Sequence, residues 1–193
     1  MATTLTPPRA AKWTVEKLME FNRERVLALW SECPAVDMAE LCGEYTGLIP
    51  NAGDPEQQQR TAEVMYNENS RLGYWLGKAY FPLSKTKGDG YNRWRRPDGT
   101  VERNMRFATE MGTSLIDGKP SLMMYYGAYR HVHVPPGEEN TLIDEVRKLT
   151  DGIYLGVGTR QNDDGSRSEP GHFALAGPVG KWVGVDDPAL ELI

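Results

Sequence analysis

The sequence predicts an α+β domain that is mainly antiparallel β, its sheet curled into a barrel or cone behind N-terminal helices. Hairpin signals recur at short intervals, at Pro97-Asp98-Gly99, Asp117-Gly118 and Asp151-Gly152, where a preset or left-handed position turns the chain. From Gly73 onward nearly every segment reads as strand, whereas helical spacing is concentrated before it. A run of small-loop hairpins of this kind favours a closed or strongly curved sheet, which removes exposed edges and creates an interior.

Taken in order, Thr14 can cap a helix over 14–32 in which Val15, Leu18, Met19, Val26, Leu29 and Trp30 recur at helical spacing before Pro34 ends it. Asp37 with Glu40 is a capping-box pattern for a short turn leading into a strand at Gly43–Pro50. Asp54-Pro55 with Gln57 starts a polar helix over 55–70, read as a surface helix or lid. The strands that follow are Tyr74–Phe81, Tyr91–Arg96 and Thr100–Met111, with Lys85–Gly90 a polar loop. Across Pro97-Asp98-Gly99, Arg95 faces Thr100 or Val101 and Trp94 lies near Glu102. Leu122–Val134 is the central strand. Thr141–Thr150 fits either an amphipathic helix through Leu142, Ile143, Val146 and Leu149 or an alternating strand, and strand is preferred because Asp151-Gly152 turns it directly into Ile153–Thr159. His172–Ala176 is the last short strand, and Trp182 anchors the tail that follows. One domain spans 1–193, with flexible ends at 1–12 and 184–193.

Bulk properties exclude several classes of function. With 39% hydrophobic and 25% charged residues in 193, a full-sized core is affordable. A net charge of −5 and a pI near 5.3 argue against a nucleic-acid surface, which needs clustered cations, and the cluster Arg93, Arg95, Arg96, Arg103 and Arg106 is local with acidic neighbours. No stretch reaches the roughly 20 apolar residues of a membrane helix, so no membrane insertion is expected. The N-terminus lacks a signal-peptide core, which points to the cytoplasm. Cys33 and Cys42 read as reduced thiols.

Candidate site residues come from strand alternation, which places Met123, Tyr125, Gly127, Tyr129, His131 and His133 on one face. A face of this kind, with Met105, Phe107 and Trp75 as further lining, suits a pocket for a small hydrophobic or aromatic molecule. Tyr125 or Tyr129 then acts as acid and His131 or His133 as base, while Arg106 and Glu110 share a strand face on which Arg106 orients an anionic group. His131-x-His133 has metal-ligand spacing but needs His172 or Glu110 from elsewhere, so no metal is expected. Gly156-x-Gly158 lacks the helix and third glycine of a phosphate loop, and no cofactor fingerprint occurs. The expected activity is that of a cofactor-independent lyase, isomerase or cyclase. The alternative is a non-catalytic carrier of a lipophilic ligand; a homodimer is compatible with either.

Gly43-x-Tyr45-x-Gly47, Trp75-Leu76-Gly77-Lys78, and Asp144-Glu145-Val146-Arg147 before Gly152-Ile153-Tyr154-Leu155-Gly156 resemble the lipocalin-like barrels with a G-x-W-x-G first strand. The resemblance runs from about Glu40 to Gly177, with Tyr45 in the usual Trp position. It implies a closed barrel with an apolar small-molecule cavity and carries over no catalytic residues. A nuclear-transport-factor-like cone, with long helices against a bent sheet, is the alternative architecture.

Overall fold

The computed structural model describes residues 13–51, 53–131, 134 and 139–186. Eight antiparallel strands follow each other around a closed barrel: β1 (Gly43–Leu48), β2 (Tyr74–Pro82), β3 (Lys87–Arg95), β4 (Val101–Thr113), β5 (Pro120–Tyr125), β6 (Ile143–Thr150), β7 (Ile153–Thr159) and β8 (Gly171–Gly180). The ring closes where β1 pairs with β8, Gly47 opposite Leu175. The barrel alternative is therefore the observed one, and the cone is not.

Alternation along the strands produces two cores. Tyr45, Trp75, Tyr80, Trp94, Phe107, Leu122, Met124, Tyr126, Val146, Tyr154, Phe173 and Leu175 line the interior. On the outer face of β7 and β8, Leu155, Val157 and Ala174 pack under α1 (Val15–Met19) and α2 (Arg23–Glu32), through Leu18, Val26 and Trp30. The single helix expected over 14–32 is two helices because Asn22 caps the second, its side chain accepting from the Arg25 N–H at 3.0 Å.

One end of the barrel is closed by Val36, Met38 and Leu41, all buried, around a 3-10 turn at Met38–Glu40. Residues 49–51 and 53–73, with α3 (Pro55–Met65), belong to the other end, where Ile49, Met65 and Leu72 pack against the interior. No α3 residue is buried. The helix stops at Met65, short of the expected 70, because Tyr66 turns away to bridge Tyr74 and accepts the Ile49 N–H at 2.8 Å. Lys87–Gly90 is strand where a loop was expected: Gly88, Asp89 and Gly90 pair with Pro82, Phe81 and Tyr80. These glycines leave room for inward side chains of other elements, as a Cβ on Gly90 would lie 2.1 Å from the Phe107 ring.

The hairpin register matches expectation, Arg95 facing Val101 and Trp94 facing Glu102. Farther along β4 the register shifts between Gly90 and Asn92, and Met105 adopts φ 50. The shift inserts an extra residue, so Arg103 and Phe107 do not share a face as simple alternation predicts. Trp182 anchors the tail against Phe81 and Tyr91, with ring centroids 5.5 and 4.6 Å away. Asp186 holds the chain beyond it, exchanging hydrogen bonds with the Arg103 backbone at 2.8 and 2.9 Å. Residues 1–12 and 187–193 lie outside the described residues.

Gly77 marks the closest approach of β2 to β1. Its φ is +131, and an added Cβ would lie 2.1 Å from the Tyr45 carbonyl oxygen and 2.4 Å from the Gly47 nitrogen. Neither backbone atom can swing aside. Gly77→Ala is expected to lower stability by roughly 1–3 kcal/mol, read as a drop in urea midpoint at unchanged m-value.

Candidate functional site

The barrel interior contains one ion pair among the described residues, formed by Lys78 of β2 and Asp144 of β6. Lys78 enters because β2 alternates inward at Lys78 and Tyr80, while Asp144 stands opposite Met124 and Gly158. Their Nζ and Oδ2 are 2.8 Å apart, with side chains only 4% and 8% exposed. Tyr126 and Asn92 complete the cluster. The Lys78 ammonium donates to Asp144, to the Asn92 Oδ1 at 3.1 Å and to the Tyr126 hydroxyl. Tyr126 donates to Asp144 Oδ2 at 3.0 Å and accepts from Asn92 Nδ2 at 2.9 Å, and Trp75 Nε1 donates to Asn92 Oδ1 at 3.0 Å. Each of the three ammonium protons has an acceptor.

Around this centre the walls are aromatic. Lys78 Nζ lies 5.0 Å from the Phe173 ring centroid, 5.2 Å from Tyr126, 5.4 Å from Phe107 and 5.7 Å from Trp75, within cation–π range. Strand glycines provide the space. A Cβ at Gly47 would meet the Trp75 ring at 2.5 Å, one at Gly156 the Phe173 ring at 2.1 Å, and one at Gly158 the Asp144 carboxylate at 2.2 Å. Gly156-x-Gly158 therefore seats an aromatic ring and the site's carboxylate.

Burial disfavours the charged amine and pushes the Lys78 pKa below the ordinary lysine value, opposed by the Asp144 charge. Burial also holds the Tyr126 hydroxyl well above the usual phenol range, reinforced by Asp144. Tyr126 thus keeps its proton and donates it as a hydrogen bond. Tyr126→Phe removes one donor and one acceptor from a buried network, and is expected to lower stability by about 1–3 kcal/mol in urea unfolding.

The residues expected to form the site are only partly brought together. Phe107 and Trp75 are interior walls, and Met105 packs against the interior where β4 shifts. The expectation that Met123 and Tyr125 face inward is corrected: β5 pairs Met124 with Thr109 and Asp144, so Leu122 and Met124 point in and Met123 and Tyr125 point out. The central strand ends at Tyr125, not Val134, and a 3-10 turn at Tyr126–Ala128 breaks its alternation. Tyr126, on the face opposite the one chosen from sequence, is the phenol that enters the interior.

Arg106 lies outside the barrel, paired bidentately with Asp89, and stacks 4.4 Å from the Tyr129 ring. It is not beside the interior and does not share a cluster with Tyr125. Glu110, on the outer face of β4, is 3.5 Å from Lys87 and 47% exposed. His131 is buried, its Nε2 2.7 Å from the Tyr126 carbonyl oxygen. His133 lies outside the described residues. His172 faces outward on β8, its Nε2 2.8 Å from the Pro50 carbonyl oxygen, and burial lowers its pKa. His131, His172 and Glu110 therefore do not converge, and among the described residues no three His, Cys, Asp or Glu side chains are grouped to hold a metal.

No protein-family model matches the chain. No curated protein matches it either. Among solved structures, a protein from Thermomonospora curvata aligns at a TM-score of 0.52 and 18% identity, over 81% of this chain and 88% of that one. Odorant Binding Protein OBP1 aligns at a TM-score of 0.39 and 12% identity, over 77% and 78% of the two chains. The likeness to the Thermomonospora curvata protein is one of fold, and with each strand paired to the next and β8 closing on β1 that fold is an up-and-down eight-stranded antiparallel barrel. Among the described residues, no helix is long and apolar enough to cross a membrane.

Proposed function

We propose that the barrel binds a small, largely apolar molecule whose single polar group docks on Lys78, Asp144, Tyr126 and Asn92. The observation that carries this reading is the ion pair itself, buried among Trp75, Phe107 and Phe173 where aliphatic side chains would pack without desolvating two charges. Strongly perturbed titratable groups in an enclosed apolar setting are the usual mark of a binding or reacting centre. The route inward runs at the α3 end, because α3 covers the barrel without burying any of its own residues. Membership of the lipocalin-like barrels belongs to the same reading, with Tyr45 as the interior residue of the first-strand motif.

A second reading is favoured by the position of the Tyr126 hydroxyl, in contact with both Lys78 and Asp144. A phenol that bridges an amine and a carboxylate can relay a proton between them, as cofactor-independent lyases, isomerases and cyclases require. On this reading the acid–base groups are Tyr126, Lys78 and Asp144, in place of Tyr125, Tyr129 and His131.

Titration of the purified protein with apolar phenols, alcohols and carbonyl compounds, followed by tryptophan fluorescence, tests the binding reading. Saturable quenching is expected, since Trp75 donates to the same Asn92 oxygen that Lys78 uses. Absence of binding across the three classes would show the cluster to be purely structural. A molecule turned over by the protein should lose roughly 10²–10⁴-fold in rate in Tyr126→Phe.

A further inference from the structure

We propose that Lys78 forms a reversible imine with an apolar aldehyde or ketone held in the barrel. This rests on the binding reading above and names the chemical class of the ligand. Lys78 is the one amine inside the barrel among the described residues; Cys33 lies under α2 outside it, and Cys42 is exposed. An interior nucleophile is thus surrounded by aromatic walls, with a carboxylate at 2.8 Å and a phenol in hydrogen-bond contact. These are the accessory groups that imine formation needs.

Charge balance selects a carbonyl over an acid. The interior pair is neutral as a whole, so a carboxylate ligand would place a second negative charge beside Asp144, with no further interior cation among the described residues to meet it. A neutral carbonyl adds no charge. The step conserves the existing one as well. Asp144 takes a proton from the Lys78 ammonium, and the free nitrogen lone pair forms a bond to the carbonyl carbon while the C=O π pair moves to oxygen. Proton transfer from nitrogen to that oxygen, through Tyr126, gives the neutral carbinolamine. Asp144 then returns its proton to the hydroxyl, the C–O bond breaks, and water leaves as the nitrogen lone pair closes the C=N bond. The product is a protonated imine with Asp144 as its carboxylate counter-ion. The site begins and ends with one positive and one negative charge.

The expected result is selective trapping. The full chain, incubated with equimolar trans-cinnamaldehyde or n-nonanal at neutral pH and then reduced with cyanoborohydride, should carry one secondary-amine adduct, located by peptide mapping at Lys78. Labelling there should exceed that at any exposed lysine by at least on the order of tenfold, since the bound carbonyl is held against the amine. Cinnamyl alcohol, which has no carbonyl, should bind by fluorescence and leave no adduct. Lys78→Arg keeps the cation and should abolish the label; mapping of the unaltered chain stands even if that variant does not fold. Binding of both the aldehydes and the alcohol, with label absent from Lys78 or spread over exposed lysines, would overturn the imine while leaving the binding reading intact. Binding of none of them would overturn both.

Discussion

Lys78→Met is expected to destabilise the protein by about 3–5 kcal/mol, because it leaves the Asp144 charge buried without its counter-ion. Asp144→Leu should cost a comparable amount for the opposite reason. The double variant Lys78→Met/Asp144→Leu is the informative one, since it replaces two desolvated charges by apolar side chains of similar size. Its stability is expected to return close to that of the unaltered chain, giving a large favourable coupling energy in a double-mutant cycle read by urea unfolding. Ligand binding should not return with it. A double variant that is stable and still binds would show that the ion pair has no part in recognition. A double variant as unstable as the singles would show instead that Tyr126 and Asn92, both bonded to the pair, depend on it for their own satisfaction.

Much of the architecture was legible because it depends on local signals. The Pro97-Asp98-Gly99 turn, the Asp54 cap and the Asp37 cap act through their own neighbours, and each occurs where the sequence places it. The site was harder to see, for a physical reason. Alternation assigns residues to two faces but does not say which face is inside, and at β5 the choice fell on Tyr125 when Tyr126 is the interior phenol. The 3-10 turn after Tyr125 then removes the regular period on which the extension to His131 depended.

A usable signal did exist in β2. Lys78 is the one charged residue in Tyr74–Phe81, and a lone charge inside an otherwise apolar and glycine-containing strand is costly unless a partner waits across the barrel. Its partner could not be read the same way. Asp144 sits in a strand with Glu145, Arg147 and Lys148, where local composition does not distinguish the inward charge from its outward neighbours. Likewise, Gly47, Gly156 and Gly158 were visible as strand glycines, but their purpose is to leave room for side chains from other strands. That information is tertiary.

Arg147→Met is expected to lower stability by about 2–4 kcal/mol and to remove an acid-dependent component of it. The Arg147 side chain is fully buried outside the barrel, stacked 3.9 Å from the Trp30 ring, with Nη1 and Nη2 donating to Asp117 at 2.8 and 2.6 Å. It thereby fastens the end of α2 and the β4–β5 turn to β6. Met keeps part of the packing on Trp30 and loses the charge. Hydrogen bonding from Arg147 holds the Asp117 carboxyl down at about 2, against an ordinary 3.8. Since the folded pKa is the lower one, this contribution is complete above pH 3.8 and is lost as pH falls through about 2. Glu145 acts in the opposite sense: burial raises its pKa above 4.5, so its contribution is present below that pH and is lost as pH rises through the folded value. Arg147 opposes that rise, so the variant should also change the curve above pH 4.5. The two windows separate the effects. Urea unfolding of both proteins from pH 2 to pH 7 should show the stability difference shrinking below pH 3.8 as Asp117 protonates. A difference that stays constant across that acid window would mean that Arg147 stabilises the fold by packing on Trp30, and that its pairing with Asp117 contributes nothing measurable.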